Sequence, residues 1–244
     1  MLSKATISLI TSLEKKKLRD ELGLFVAEGE KLVADLSRTL KVKSIYATIQ
    51  SGIESAELIS AAEMKKISFL KNPSSVLGVF HTPNHEELNL SPSSLVLALD
   101  DVQDPGNLGA IIRLCDWFGI TILLCSTHTA DCYSPKVVQA TMGAIARVRV
   151  YYVDLQAQLN VAQKAGIPVF GAFLEGKNIY QESLPTGGIV VMGNEGNGIS
   201  KEIASLITQK LYIPSFAESA QKSESLNVAI ASAVICSEFK RRAL

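Results

Sequence analysis

A chain of 244 residues, 47% apolar and 20% charged, can bury one large core or two small ones. With 24 basic and 24 acidic side chains its formal charge is zero, which argues against a protein that grips nucleic acid by bulk charge alone. The absence of an eighteen-residue apolar run, of a secretory-leader pattern and of any C-x-x-C pair among Cys115, Cys125, Cys132 and Cys236 argues against a membrane span, a disulfide frame and a metal site; a cytoplasmic location is expected.

In chain order, the apolar patterning predicts a helix over Leu9–Leu22, a strand at Leu24–Ala27 and a helix over Glu30–Leu40. A strand at Val42–Thr48, a helix at Ala61–Phe69 and a strand at Val76–Phe80 follow. Residues 1–85 hold 12 basic and 9 acidic residues, and the excess sits early, in Lys15, Lys16, Lys17 and Arg19. Charge alone favours a solvated helix end for this cluster; contact with phosphates is the alternative. The segment HTPNHEELNLSPSS, residues 81–94, breaks the patterning with two prolines and a run of turn formers. It divides the chain into a small domain over 1–85, a linker over 86–93 and a larger domain over 94–244.

The larger domain alternates more regularly. Strands are predicted at Leu95–Asp100, Thr121–Cys125, Arg147–Tyr152, Val169–Phe173, Gly188–Met192 and Lys210–Ile213, with helical segments between several of them and a long helix at the end. Such alternation means an α/β fold: a mostly parallel sheet with helices on both faces. Ligands of these sheets gather beyond the carboxyl ends of the strands, and three of those ends are unusual. In DPGNLGAIIR, Gly106 and Gly109 permit a close turn, Asn107 is a good N-cap, and Arg113 lies about 6 Å of helix rise beyond Gly109. Helical side chains lean toward the N-terminus, so the guanidinium can reach the crevice; pairing with Asp116 or stacking on Trp117 is the alternative. In VVMGNEGNGIS, three glycines (Gly193, Gly196, Gly198) and Glu195 follow a buried-looking strand directly. In SLNVAIASAVI, a helix of small residues starts at a polar loop, with Ser225 or Asn227 as its cap.

Together, in this order and spacing, the three segments resemble the three signature motifs of the SpoU (TrmH-like) family of RNA ribose 2′-O-methyltransferases. Asn107, Gly109 and Arg113 match the first motif; Gly193, Glu195, Gly196 and Gly198 the second; Ser225, Leu226, Asn227 and Val228 the third. The linking segment ADCYSPKVVQATMGAIARVRV and the N-terminal KKKLRDELGLFVAEGEKLVADL, with its Glu28-Gly29 turn, extend the likeness over nearly the whole chain. The resemblance implies a SPOUT-like α/β fold with a C-terminal trefoil knot, a preceding small α/β (L30e-like) substrate-binding domain, a homodimer, and S-adenosyl-L-methionine as methyl donor. It places the cofactor on Gly193, Ile213, Leu226 and Gly198, with the turn after strand Val169–Phe173 (Leu174, Glu175, Gly176) lining the pocket. Two departures stand out: PSFAESAQKSE, between Ile213 and Ser225, is a few residues longer than usual, and position 229, often serine in the family, is alanine.

The implied substrate is structured RNA, ribosomal RNA before transfer RNA. A guanidinium titrates at about 12.5 or above and stays protonated, so Arg113 is expected to bind a phosphate and stabilise charge on the ribose oxygen rather than to act as a base. Asn107 and Asn227 are expected to position the ribose and the loops, and Glu195 to orient Arg113 or a neighbouring amide. His81, His85 and His128 fall outside the motifs. Two other functions stand against this reading. A catalytically inactive RNA-binding or assembly protein on the same fold is opposed by the intact Asn107, Arg113, Glu195 and Asn227. A nicotinamide oxidoreductase is opposed by the lack of a G-x-G-x-x-G opening a helix after an early strand.

Overall fold

The computed structural model describes residues 1–49, 52, 53, 55–217 and 224–242. Its contacts group into two units, Met1–Glu86 with Asp131–Ala146, and Glu87–Ala130 with Arg147–Leu244. The segment Asp131–Ala146, assigned by sequence to the larger domain, thus packs with the first unit.

In the first unit the local signals are caps. Ser3 accepts from the Thr6 N–H at 3.0 Å and opens α1 (Lys4–Ser12). The chain then forms α2 (Lys16–Leu22), β1 (Leu24–Glu28), α3 (Glu30–Ser37), β2 (Val42–Ala47), β3 (Ala56–Leu58), α4 (Ala61–Ile67) and β4 (Val76–His81). A capping box between Ser60 and Glu63 starts α4. The sheet order is β1-β4-β2-β3, antiparallel except for the β2–β3 pair. Ile10, Leu13, Met64 and Ile67 bury one of its faces. Phe25 turns to the other side of β1, with its ring 5.7 Å from that of Phe80 and 5.0 Å from that of Tyr133.

The single helix expected over Leu9–Leu22 is two helices, broken at Leu13–Lys15. The break leaves carbonyls without helical partners. The Arg19 guanidinium takes two of them, donating to Leu13 O at 2.6 Å and Glu14 O at 2.7 Å, and pairs with Asp131. Only 4% of Arg19 is exposed. Burial of a charge is tolerated because every side of it is paired. Arg19, grouped by sequence with the RNA-facing lysines, is therefore a structural ion. Lys16 is exposed and paired with Asp20 at 2.8 Å; Lys15 and Lys17 are exposed.

The second unit runs β5 (Leu95–Leu99), α5 (Pro105–Trp117) and β6 (Ile122–Cys125); the chain then passes through α6 (Pro135–Thr141) of the first unit. It continues as β7 (Arg149–Tyr152), α7 (Leu155–Lys164), β8 (Val169–Asn178), β9 (Gly188–Met192), α8 (Lys201–Ala204), β10 (Gln209–Tyr212) and α9 (Val228–Arg241). The sheet is six-stranded, ordered β10-β8-β9-β5-β6-β7, and parallel throughout. Its central strands β5, β6 and β9 are buried at every residue, as a sheet covered on both faces requires. Val96, Ala98, Ile122, Leu124, Ile189 and Val191 pack on Leu155 and Leu159 of α7 and Ile203 of α8. On the other face α5 and α9 pack together, and Phe170 meets Phe239 edge to face with centroids 5.2 Å apart. The α/β architecture expected from sequence is present.

The chain moves outward from β5 to β6 and β7 and then returns to the far side of β9, so the strand order reverses at the β5–β9 pair. Its carboxyl ends are where a doubly wound sheet leaves a crevice. One expectation needs correction here. The turn placed after Phe173 is instead part of a longer strand. Gly171 pairs with Lys210 and Lys177 with Leu211, so residues 172–176 are looped out of the ladder while β8 continues to Asn178.

Candidate active site

Three loops at these carboxyl ends carry the sequence motifs. The first follows β5. Asp104, not Asn107, caps α5: its Oδ1 accepts from the Asn107 N–H at 2.8 Å, and Pro105 occupies the first helical position. This corrects the cap expected at Asn107. It also frees the Asn107 side chain, which sits on the third residue of the helix and reaches both other loops.

The second loop follows β9. It closes on itself through paired bonds of 2.9 Å between Asn194 and Gly198. A Cβ on Gly193 would lie 2.2 Å from the Gly198 carbonyl carbon, so that position requires glycine, and Gly198 adopts φ +69°, which favours it. The third loop ends at Asn227. Its Oδ1 accepts from the N–H groups of Ala229 at 2.9 Å and Ile230 at 3.3 Å, which makes Asn227 the N-cap of α9; Ser225 is exposed and does not cap.

These loops are joined by one side-chain chain. Asn227 Nδ2 donates to Asn107 Oδ1 at 2.9 Å, and Asn107 Nδ2 donates to Glu195 Oε1 at 2.8 Å. The direction follows from its two ends. The helix N–H groups only donate, so Asn227 must turn its oxygen to them; the ionised carboxylate only accepts, so Asn107 must turn its nitrogen to it. Asn107 is left with its oxygen for Asn227. A carboxamide is thus held in one orientation by residues 88 and 120 positions away. Glu195 accepts from the Asn107 amide and makes no hydrogen bond or ion pair with Arg113.

Arg113 stands apart from this trio. It is exposed, and it makes no hydrogen bond or ion pair with any described residue. The pairing with Asp116 weighed in the sequence does not form, because Arg147 Nε lies 3.0 Å from both Asp116 oxygens and Nη2 lies 2.9 Å from Oδ2. Trp117 is 85% exposed. A helix-borne guanidinium without a protein partner is available to an anion.

The proposed cofactor positions also lie along these strand ends. Leu226 is 50% exposed and Leu174 is 71% exposed, unusual for aliphatic side chains of a packed α/β unit. Ile213 is half-buried just beyond β10, and Gly176 abuts the Lys210 carbonyl, which a Cβ would approach to 2.7 Å. Residues 218–223 of the long third loop lie outside the described residues. Sequence reasoning missed two contributors. The Asp104-Pro105 pair is a legible helix start, stronger than the one at Asn107. Asp100, 7% exposed, accepts from the Ser200 N–H at 2.7 Å and ties the first loop to the end of the second; no local pattern marks it. Among the described residues there is no cluster of metal-ligating side chains, and no helix is long and apolar enough to cross a membrane.

The family model of the SpoU rRNA methylases matches residues 94–237, and that of the MRM3-like substrate-binding domain matches residues 4–78. A 23S rRNA (guanosine(2553)-2′-O)-methyltransferase, RlmP of Bacillus subtilis, is 29% identical over 233 residues, covering 91% of each chain. The solved structure of a TrmH-family chain from Porphyromonas gingivalis superimposes with a TM-score of 0.88 at 40% identity, covering 99% of both chains. The S-adenosylmethionine-bound rRNA methyltransferase from Sinorhizobium meliloti superimposes with a TM-score of 0.86 at 28% identity, covering 100% of this chain and 97% of that one.

Proposed function

Since the chain belongs to the SpoU rRNA methylase family, we propose that it transfers the methyl group of S-adenosylmethionine to a ribose 2′-hydroxyl of ribosomal RNA. The observation that carries this reading is the Asn227–Asn107–Glu195 chain, which ties the three motif loops into one surface at the strand ends. The names of the Bacillus subtilis and Sinorhizobium meliloti relatives support the rRNA substrate and the cofactor.

The residues present suit an adenosyl ligand. Gly193 and Gly198 bring bare backbone close, and Ile213, Leu226 and Leu174 offer apolar surface beside it. When bound, S-adenosylmethionine supplies a methyl group already activated by its sulfonium. The protein then has to place the ribose oxygen in line and ease its proton away. Arg113 binds a backbone phosphate next to the reacting ribose and stabilises negative charge growing on the 2′ oxygen. Asn107, fixed at both ends of its amide, sets the relation between this helix and the cofactor loops, and Glu195 and Asn227 hold that amide. A phosphate oxygen or water takes the proton, which a guanidinium does not.

RNA is gripped by the first unit, through Lys15, Lys16 and Lys17 but without Arg19. The knotted threading of the C-terminal segment, the cytoplasmic location and a homodimer are parts of the same proposal. Trp117 on α5 and Ile230 on α9, 85% and 56% exposed, support self-association of the α5–α9 face. Titration with S-adenosylmethionine, followed by mapping of ribose methylation in total RNA from a deletion strain, tests the reading. Saturable binding and one rRNA ribose losing its methyl group are expected. Binding of RNA with no uptake of the cofactor would instead establish an inactive assembly protein.

A further inference from the structure

Asp101, just beyond β5, has φ +62°, a left-handed backbone uncommon for residues with a Cβ, though aspartate enters it more readily than most. Such conformations persist where the surroundings hold them, and here both backbone polar groups are held by side chains from other strand ends. The Asp101 N–H donates to Ser126 Oγ at 2.9 Å, and the Asp101 carbonyl accepts from Asn194 Nδ2 at 2.7 Å. Ser126 is itself steadied by Thr129, at 3.1 Å between hydroxyl oxygens. Asn194 has a second task at its other end: Oδ1 accepts from the N–H groups of Gly196 at 2.9 Å and Asn197 at 3.1 Å. Both ends of its amide are therefore engaged, the oxygen folding its own glycine-rich loop and the nitrogen clamping the loop after β5.

Resting on the methyl-transfer reading above, we propose that Asn194 is a positioning residue which keeps Asp101 left-handed and so sets the register between the first and second motif loops. Only two residues separate Asp101 from the cap Asp104, and Asn107 follows within the first turn of α5. A change of backbone at Asp101 would swing the start of α5 and draw Asn107 away from Glu195 and Asn227. The trio then depends on a residue outside it.

The two ends of Asn194 can be separated. Asn194→Asp keeps an oxygen for Gly196 and Asn197 but cannot donate to the Asp101 carbonyl. In that variant kcat is expected to fall about tenfold or more, since small misplacements of reacting groups are costly, while the Kd for S-adenosylmethionine stays within about threefold of wild type, a margin of under about 1 kcal/mol. Scalar couplings measured on the cofactor-free protein should show residue 101 leaving positive φ. Adding Asp101→Gly, which makes the left-handed backbone accessible without strain, should recover most of the lost kcat. The proposal is overturned by an Asn194→Asp variant that turns over within twofold of wild type, or by one that keeps positive φ at residue 101. It is equally overturned if kcat and cofactor affinity fall together with no recovery from glycine, which would mean that Asn194 serves its own loop only. Wild-type protein that neither binds S-adenosylmethionine nor methylates RNA would remove the methyl-transfer reading instead, and the φ measurement would still decide the role of Asn194.

Discussion

The bonded polar side chains of the first unit and those of the second unit's motif loops sit in different surroundings. In the first unit the costly ones are turned inward and saturated. Arg19 is closed in by Asp131 and two carbonyls, and Glu28, 3% exposed, accepts from Ser68 Oγ at 2.6 Å and the Phe69 N–H at 2.7 Å. At the carboxyl edge of the second sheet, Asn107, Glu195 and Asn227 are bonded to one another in partly or fully exposed positions, and Arg113 is bonded to no described residue. A buried polar group left unpaired lowers stability, so pairing in the first unit needs no reason beyond stability. Exposed groups can be satisfied by water. A chain of fixed amides at a solvent-facing strand end therefore points to geometry held for a ligand.

Breaking each region in turn should separate activity from stability. The largest effect is expected from Arg113→Ala: turnover should fall by about 100- to 1,000-fold, the scale of losing one donor to transition-state charge, with cofactor affinity and unfolding midpoint nearly unchanged. Methyl transfer by this variant at close to the wild-type rate would remove Arg113 from the site. In the first unit Asp131→Ala should act the other way. It leaves the Arg19 charge buried and uncompensated, costing about 3 kcal/mol of stability in urea unfolding, while kcat at temperatures where the protein remains folded is retained. Asn227 lies between these extremes because it serves both purposes. Asn227→Ala removes the α9 cap, worth about 1 kcal/mol, as well as the bond to Asn107. Asn227→Asp restores a cap but cannot donate to Asn107 Oδ1, so stability should return to the wild-type value and turnover should not. Equal recovery of both would show that the link to Asn107 is incidental.

What the sequence reveals of each region follows from distance along the chain. The strands of the second sheet are legible because five-residue apolar runs between turn formers are local, and the three motif loops are legible as glycine, amide and carboxylate at strand ends. β3 is three residues long, too short for any period to show. The links of the trio span 88 and 120 residues, so no window contains them. Arg19 is misleading for the same reason: its partner Asp131 is 112 residues away, and beside three lysines it looks like one more surface cation. Asn107 fails differently. Asp104 before Pro105 is the stronger local cap signal, and with it in that role the Asn107 side chain is free for a task elsewhere.

The smallest expected effect concerns two carboxylates held down by different means, one in each unit. Glu63 is held at about 2 chiefly by the Ser60 N–H, with the Leu2 N–H next, at 2.9 and 2.7 Å. Glu238 is held at about 2 chiefly by Arg241, with Arg242 also bonded. Both folded values lie below the ordinary glutamate value of about 4.3. The unfolded chain therefore takes up these protons first, and each group's contribution is complete above that value and fades as pH falls toward about 2. Salt should tell them apart. Glu238 itself is buried but its partner Arg241 is 65% exposed, and screening weakens such a charge pair more than a fixed backbone N–H bond, so 1 M sodium chloride should raise the titration midpoint of Glu238 and leave that of Glu63 nearly in place, as followed by carboxyl carbon chemical shifts. Glu63→Gln should flatten the acid limb of stability between about pH 4 and pH 2 in either salt, because it removes a group that titrates there, whereas Glu238→Gln should do so only at low salt. Equal upward movement of both midpoints would show that Glu63 too is held by charge and not by its cap.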